Sequence, residues 1–227
     1  MLPLFEHEET PRAREIAERL LSSAQAYWAE NDPPNFKTNP YAVMLVAMFS
    51  PRTRTEDSRA AMTEIFALAD TPEKVAQLSY EQAFEILDRN SVRFPENKAR
   101  YLIEGAAQLA ANGGEVPRNL EDLMQYPGMG WKTSLLTLWL AFGLAPEITV
   151  DVHVARIGIR NGFVNPKTTD PQKVSRELMA VVPREYWGWW NSIFVYFGKV
   201  RCLPNNPRCN GCPIADLCER VGVTNSG

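Results

Sequence analysis

No apolar run in this sequence approaches the ~18 residues that a membrane helix needs; the longest, 41–49 and 193–197, have the length of buried helix segments. The N-terminus, MLPLFEHEETPR, is acidic and lacks the basic start and apolar stretch of a signal peptide, so the chain is expected to stay in a reducing, cytoplasmic compartment. Internal repeats and low-complexity tracts are absent, and strand patterning is weak. Cysteine is missing until residue 202, which leaves no upstream partner for a disulfide framework. Cationic side chains are not in excess: 24 Lys and Arg stand against 27 Asp and Glu, for a net charge of −3. That balance argues mildly against a nucleic-acid partner.

What is present is an ordinary globular composition, 45% apolar and 22% charged over 227 residues, enough for one or two domains with a real core. The charge is unevenly spread: residues 146–227 hold 10 Lys and Arg against 7 Asp and Glu, the remainder 14 against 20. A protein that meets phosphates mainly through backbone N–H groups needs few cations, so the expected electrostatic footprint is modest and local. Apolar spacing and capping residues predict an all-α chain. The helices fall over 12–27 (Thr10 as N-cap, Pro11 just inside), 40–49, 56–68, 71–78, 79–89, 96–112, 119–126, 131–142, 150–161, 170–182 and 185–199. Residues 31–40, with Asp32-Pro33-Pro34 and Asn39-Pro40, read as a linker, and Gly113-Gly114 as a helix stop. Residues 148–159 are β-branched enough to compete as a strand, with helix preferred.

All four cysteines lie in seventeen residues, Cys202, Cys209, Cys212 and Cys218, in the pattern C-x6-C-x2-C-x5-C. In a reducing compartment a metal is the better account of them than two disulfides. Zinc sites usually use two short pairs; one short pair with outer spacings of six and five favours a [4Fe–4S] cube, with zinc or unliganded thiols as the alternatives. Pro204, Pro207 and Pro213 stiffen this loop, and Arg201, Arg208 and Arg220 flank it within reach of a phosphate.

A second signal is Pro127-Gly128-Met129-Gly130-Trp131-Lys132-Thr133, a tight turn between two short helices. Gly128 and Gly130 suit φ > 0 and close backbone approach, and Gly130 opens a helix whose first N–H groups make an anion site. An ordinary helix corner is the bland alternative. Lys132 sits in the first turn, where the dipole favours the neutral amine that nucleophilic attack requires. Asp151 stands in an apolar run, Thr149–Ala155, where a carboxylate is either an N-cap or a functional group, or both. His153 is read as a structural histidine.

With these residues in hand, the chain resembles the endonuclease III group of helix-hairpin-helix DNA glycosylases along nearly its whole length. The resemblance rests on Asn39-Pro40, the hairpin 127–132, Val150-Asp151-x-His153, Gly198 and the cysteine spacing. It implies two lobes with a DNA cleft between them. One is a six-helix barrel over 40–145 containing the hairpin; the other combines 1–39 with 146–227 and carries the cluster. It implies a bifunctional glycosylase and abasic-site lyase that flips oxidised pyrimidines out of duplex DNA. Lys132 would attack C1′ through a Schiff base leading to β-elimination, and Asp151 would assist deprotonation and stabilise charge on the sugar. The four cysteines would hold a [4Fe–4S] cluster. Gly128, Gly130 and Thr133 would bind DNA, and the protein would be a nucleoid-associated monomer.

The family's serine-x-glutamine-x-threonine-aspartate stretch is Ser50-Pro51-Arg52-Thr53-Arg54-Thr55 here, with Asp57 displaced by one. Arg52 takes the place of the glutamine that fills the gap left by a flipped base. The apolar wedge falls at Phe94, preceded by Arg93 where glycine is usual. The alternatives are an enzyme acting mainly as an abasic-site lyase with shifted lesion preference, and a non-catalytic iron–sulfur DNA-binding protein, which would have no need of both Lys132 and Asp151.

Overall fold

The structure, a computed structural model, describes residues 10–31 and 39–227. It is helical, with no strand among the described residues. Two compact units divide the chain: a middle unit, Asn35–Leu144, and a terminal unit that joins Met1–Pro34 to Ala145–Gly227.

The middle unit is built around α2 (Pro40–Phe49), apolar all round and buried at eight of its ten positions, as a helix enclosed by others must be. Asn39 starts it, its side-chain oxygen accepting from the N–H groups of Tyr41 and Ala42 at 3.0 and 3.3 Å. Around it lie α3 (Thr55–Leu68), α4 (Pro72–Val75), α5 (Tyr80–Arg89), α6 (Pro95–Ala111), α7 (Leu120–Leu123) and α8 (Trp131–Phe142). Met44, Leu45, Phe49, Ile65, Leu87, Leu102 and Leu109 are fully buried in its core, each stabilising the fold by roughly 1.5–3 kcal/mol.

The terminal unit packs α1 (Pro11–Asn31) with α9 (Val152–Arg160), α10 (Pro171–Val181), a single 3-10 turn at Arg184–Tyr186, and α11 (Trp187–Val200). Trp190 is its centre, with the rings of Phe194 and Phe163 at 4.7 and 6.4 Å. Thr10 caps α1, its hydroxyl accepting from the Ala13 N–H at 3.2 Å. Arg12 then reaches the tail, donating to Leu217 O at 3.0 Å and Asn161 O at 2.9 Å with its guanidinium over the Phe163 ring. A Cβ on Gly198 would collide with the His153 ring, so this glycine lets α11 lie close against α9.

Several helices are shorter than their sequence predicts. The helix expected over 71–78 is the single turn α4, because Gln77 and Leu78 switch to i→i−3 bonds before Ser79 caps α5. That expected over 119–126 is α7 alone: Gln125 and Tyr126 also tighten to i→i−3 bonds, and Pro127 keeps Tyr126 from continuing the helix. The helix over 150–161 begins at Val152, since Asp151 caps it from an extended conformation. The expected 185–199 helix opens as a 3-10 turn. Most of the expected 31–40 linker lies outside the described residues.

Candidate active site and cysteine pocket

Residues 124–130 join α7 to α8. Tyr126 and Met129 are buried and anchor the turn to the core, and the Met129 N–H donates to Tyr126 O at 3.0 Å. Gly128 has φ +77, and a Cβ there would lie 2.9 Å from Tyr101 Cδ2 and 3.1 Å from Met48 Cγ. Only glycine fits both conditions. Gly130 differs from its expected conformation: it is extended, with φ −82 and ψ 175. It serves as the N-cap of α8, and an N-cap residue sits in the β region. An added Cβ at Gly130 would meet nothing within 4 Å. Its bareness leaves open space rather than permitting a turn. No side chain caps α8, so the unpaired N–H groups of its first turn are available to an outside acceptor.

Thr133 is buried and its hydroxyl donates to Gly130 O at 2.9 Å. Its side chain faces the helix, which leaves only its backbone N–H for an outside ligand. Lys132 is half-buried, and its ammonium has no ion-pair or hydrogen-bond partner among the described residues. In the terminal unit, Asp151 is half-buried at the head of α9. Its Oδ1 accepts from the N–H groups of His153 and Val154 at 2.8 and 2.9 Å. Capping occupies one carboxylate oxygen and leaves Oδ2 without a bond.

Arg52 and Phe94 meet in the middle unit. Arg52 sits at the centre of the α2–α3 connection and Phe94 ends the α5–α6 connection. Both are left-handed, at φ 57 and φ 58, which for residues with side chains costs about 1–3 kcal/mol each. The Arg52 guanidinium stands 5.7 Å from the Phe94 ring centre, and Phe94 is 51% exposed. The groove beside them, lined by Arg52, Thr53, Arg54, Asp88, Arg93 and Phe94 among others, has a volume of about 600 Å³. Asp57 holds Arg54 through two bonds of 2.7 and 2.8 Å.

Sequence reasoning missed Lys98. It is 5% exposed, and its Nζ donates to Phe49 O at 2.6 Å, Pro51 O at 3.0 Å and Thr53 Oγ1 at 3.1 Å. Burial pushes its ammonium down to about 8. One signal for it existed: Lys98 lies four residues before Leu102, in phase with the apolar stripe of α6, where a charge needs partners.

The four cysteines form no disulfide and line one pocket together with Arg160, Asn161 and Phe197. Among the described residues no three Cys, His, Asp or Glu side chains are placed to hold a single metal ion. Arg160 is nearly buried and donates to Cys202 Sγ at 3.2 Å, Leu203 O at 2.7 Å and Pro204 O at 2.7 Å. Asn161 is 0% exposed, and neither atom of its side-chain amide has a partner. Burial pushes the thiols of Cys212 and Cys218 up. Arg201, Arg208 and Arg220 donate to carbonyls of the loop and its approach, at Asn210, Val200 and Ala215. Their guanidiniums knit the backbone around the pocket.

Comparison with known proteins bears on these features together. The family model of the HhH-GPD superfamily of base excision DNA repair proteins matches residues 45–184. Endonuclease III of Thermotoga maritima is 34% identical over 209 residues, covering 91% of this chain and 90% of its own. Endonuclease III of Bacillus subtilis is 32% identical over 184 residues, with 80% and 82% covered. A solved structure described as a trapped endonuclease III–DNA covalent intermediate matches with a TM-score of 0.77 at 27% identity, over 92% of this chain and 96% of that one. The chain belongs to the HhH-GPD superfamily and, within it, to the endonuclease III family.

Proposed function

We propose that this chain removes oxidised pyrimidines from duplex DNA and cuts the strand at the abasic site it creates. Members of the endonuclease III family are DNA glycosylases with lyase activity, and this chain is a bifunctional glycosylase and lyase of base excision repair. The observation that carries the chemical assignment is Lys132, an amine without a partner in the first turn of an uncapped helix. A surface lysine kept for charge would gain from a carboxylate neighbour; a nucleophile must have none that holds its proton.

In the proposed mechanism the damaged nucleotide is extruded from the stack. The first-turn N–H groups of α8 and the bare backbone at Gly128 and Gly130 hold a phosphate, Thr133 contributing its N–H. Lys132, as the free amine, attacks C1′; the C1′–N bond breaks, and the base leaves with the electron pair and a proton. The amine then loses a proton, the C1′–O4′ bond breaks with its electron pair going to O4′, which takes up a proton, and the opened sugar is left as the protonated Schiff base at C1′. Removal of a C2′ proton then expels the 3′ phosphate by β-elimination, and water releases the lysine. Asp151, with its Oδ2 free of the capping bonds, is assigned to assist deprotonation of the lysine and to stabilise the positive charge that develops on the sugar. Arg52 and Phe94 fill the gap left by the flipped base. Arg52 in place of glutamine is also the one observation that favours the second reading, a lesion preference shifted toward the abasic site.

We further propose that Cys202, Cys209, Cys212 and Cys218 hold a [4Fe–4S] cluster. Four free thiols around one pocket, spaced by six, two and five residues, suit a group with several corners. The unpartnered amide of Asn161 and the guanidinium of Arg160 beside Cys202 suit an anionic, acceptor-rich occupant. Bound there, a cluster would crosslink residues 202–218 at four points and supply a one-electron redox centre. The partner is double-stranded DNA with a damaged base or abasic site, bound by a monomer.

Borohydride trapping on a duplex carrying one thymine glycol, with an abasic duplex alongside, tests the reading. A covalent complex on both supports it. A complex on the abasic duplex alone leaves a lyase and moves lesion choice to Arg52. Strand cleavage that survives Lys132→Gln would sink the mechanism. Iron analysis of anaerobically prepared protein should return about four atoms per chain, and one zinc instead would overturn the cluster.

A further inference from the structure

Two loops carry the side chains read above as DNA contacts, and they are far apart in sequence. Residues 50–54 hold Arg52 and residues 90–94 hold Phe94. One buried group joins them. Lys98, on the first turns of α6 just after Phe94, donates to Phe49 O, Pro51 O and Thr53 Oγ1 at 2.6, 3.0 and 3.1 Å. All three acceptors flank Arg52. Thr53 Oγ1 also accepts from the Arg93 N–H at 3.0 Å, so a single hydroxyl is shared by both loops. Each loop holds a left-handed residue with a side chain, Arg52 at φ 57 at the centre of one and Phe94 at φ 58 at the end of the other. Such a backbone persists only where its surroundings over-determine it. Three acceptors satisfy the three donors of an ammonium, which pins two carbonyls before Arg52 and the hydroxyl just after it to the start of α6.

We propose that Lys98 is a positioning residue for lesion recognition. It locks the Arg52 loop to the Phe94 loop, so that the two tips enter the duplex as one rigid wedge. The proposal rests on the reading of Arg52 and Phe94 as the residues that fill the space of a flipped base. A wedge is needed only where a complementary strand must be parted from the lesion. An abasic site in a single strand needs none. Loss of the clamp therefore lowers reaction on duplex DNA more than on single-stranded DNA, and a general loss of structure lowers both alike.

Two variants test this: Lys98→Met, which keeps length and removes every donor, and Thr53→Val, which removes the shared hydroxyl without emptying the core. Borohydride trapping is followed on one abasic oligonucleotide, alone and annealed to its complement. The ratio of duplex to single-strand reaction should fall at least tenfold for Lys98→Met and at least threefold for Thr53→Val, with the loss mainly in KM. An unchanged ratio in both variants overturns the clamp, and so does an equal loss on both substrates. Amide hydrogen exchange reads the clamp without DNA. Exchange in 50–55 and 90–95 should quicken together in Lys98→Met by tenfold or more, and a change in one loop alone, or in neither, overturns it. If the parent protein is trapped on no substrate while the two loops still respond together, the functional reading fails and the clamp stands.

Discussion

Gly128 and Gly130 stand two residues apart in one turn and are bare for different reasons. At Gly128 the backbone is left-handed and the space for a side chain is already taken by Tyr101 and Met48. Gly128→Ala is expected to cost about 2–5 kcal/mol, combining left-handed strain of ~1–2 kcal/mol with overpacking of ~1–3, and to lower the denaturant midpoint accordingly. At Gly130 the conformation is ordinary and the neighbouring space is empty. Gly130→Ala should cost under about 1 kcal/mol, the difference between the two as N-caps, yet weaken duplex binding more than tenfold by placing a methyl where the phosphate is proposed to sit. A binding titration of both variants beside their melting curves checks this; equal affinity for Gly130→Ala and parent would remove the phosphate from this end of α8. Lys98 supplies a pH test at the same scale. Burial lowers its folded value to about 8 from an ordinary 10.5. Below pH 8 folded and unfolded chains both hold the proton. Between pH 8 and about 10.5 the unfolded chain holds it and the folded chain has released it, so stability rises with pH through this window. Burial raises the Tyr41 phenol above its ordinary value of about 10, and its opposite contribution begins only near that value. Across pH 8 to 10 the parent should therefore gain stability relative to Lys98→Met, and parallel melting profiles would contradict this.

At the scale of the element, Asp151 has two roles that one substitution can separate. As a cap it holds the first N–H groups of α9 through Oδ1, and asparagine caps as well as aspartate. As a base it needs the charge of Oδ2, which asparagine lacks. Asp151→Asn should keep the melting temperature within a degree or two and lose excision by about two orders of magnitude or more, the usual scale of a general base. Asp151→Ala should lose both, with about 1 kcal/mol of stability gone. Equal activity of Asp151→Asn and parent would leave only the cap. The elements legible in sequence were those whose signals are local. Thr10, Asn39, Asn119 and Asp170 announce helix starts, and each accepts the capping bond its position implies. The hairpin and the cysteine tail are contiguous, so their residues could be named from spacing alone. Helix ends at 75 and 123 were not legible, because a 3-10 turn costs little more than an α turn and the choice depends on the cap or proline that follows. The link from Lys98 to Phe49, Pro51 and Thr53 was not legible either. It closes over more than forty residues, and no local pattern records which carbonyls meet an in-phase lysine.

For the whole molecule the telling quantity is charge. A chain of net −3 must bind a polyanion without a large excess of cations, and several of its arginines are already committed elsewhere. Arg54 is committed to Asp57, Arg19 to Glu15 and Asp216, and Arg12 pairs with Glu219. Arg156 and Arg160 turn inward to the carbonyls around Cys202. Binding is then expected to rest on backbone N–H groups, a limited number of outward cations, and the fit of an extruded nucleotide. Contacts from backbone N–H groups neutralise no phosphate charge and release no counterion. Each cationic contact steepens the dependence of log K on log salt by about 0.9. The slope for an abasic-analogue duplex should accordingly be shallower than about −4, meaning four or fewer cationic phosphate contacts. Arg52→Gln should leave that slope almost unchanged while altering which base is tolerated opposite the lesion, since its guanidinium is assigned to the gap in the stack and not to a phosphate. A slope that flattens by a full unit in Arg52→Gln would place Arg52 on the backbone, and a parent slope near −8 would mean about nine cationic phosphate contacts and overturn the reliance on backbone N–H groups.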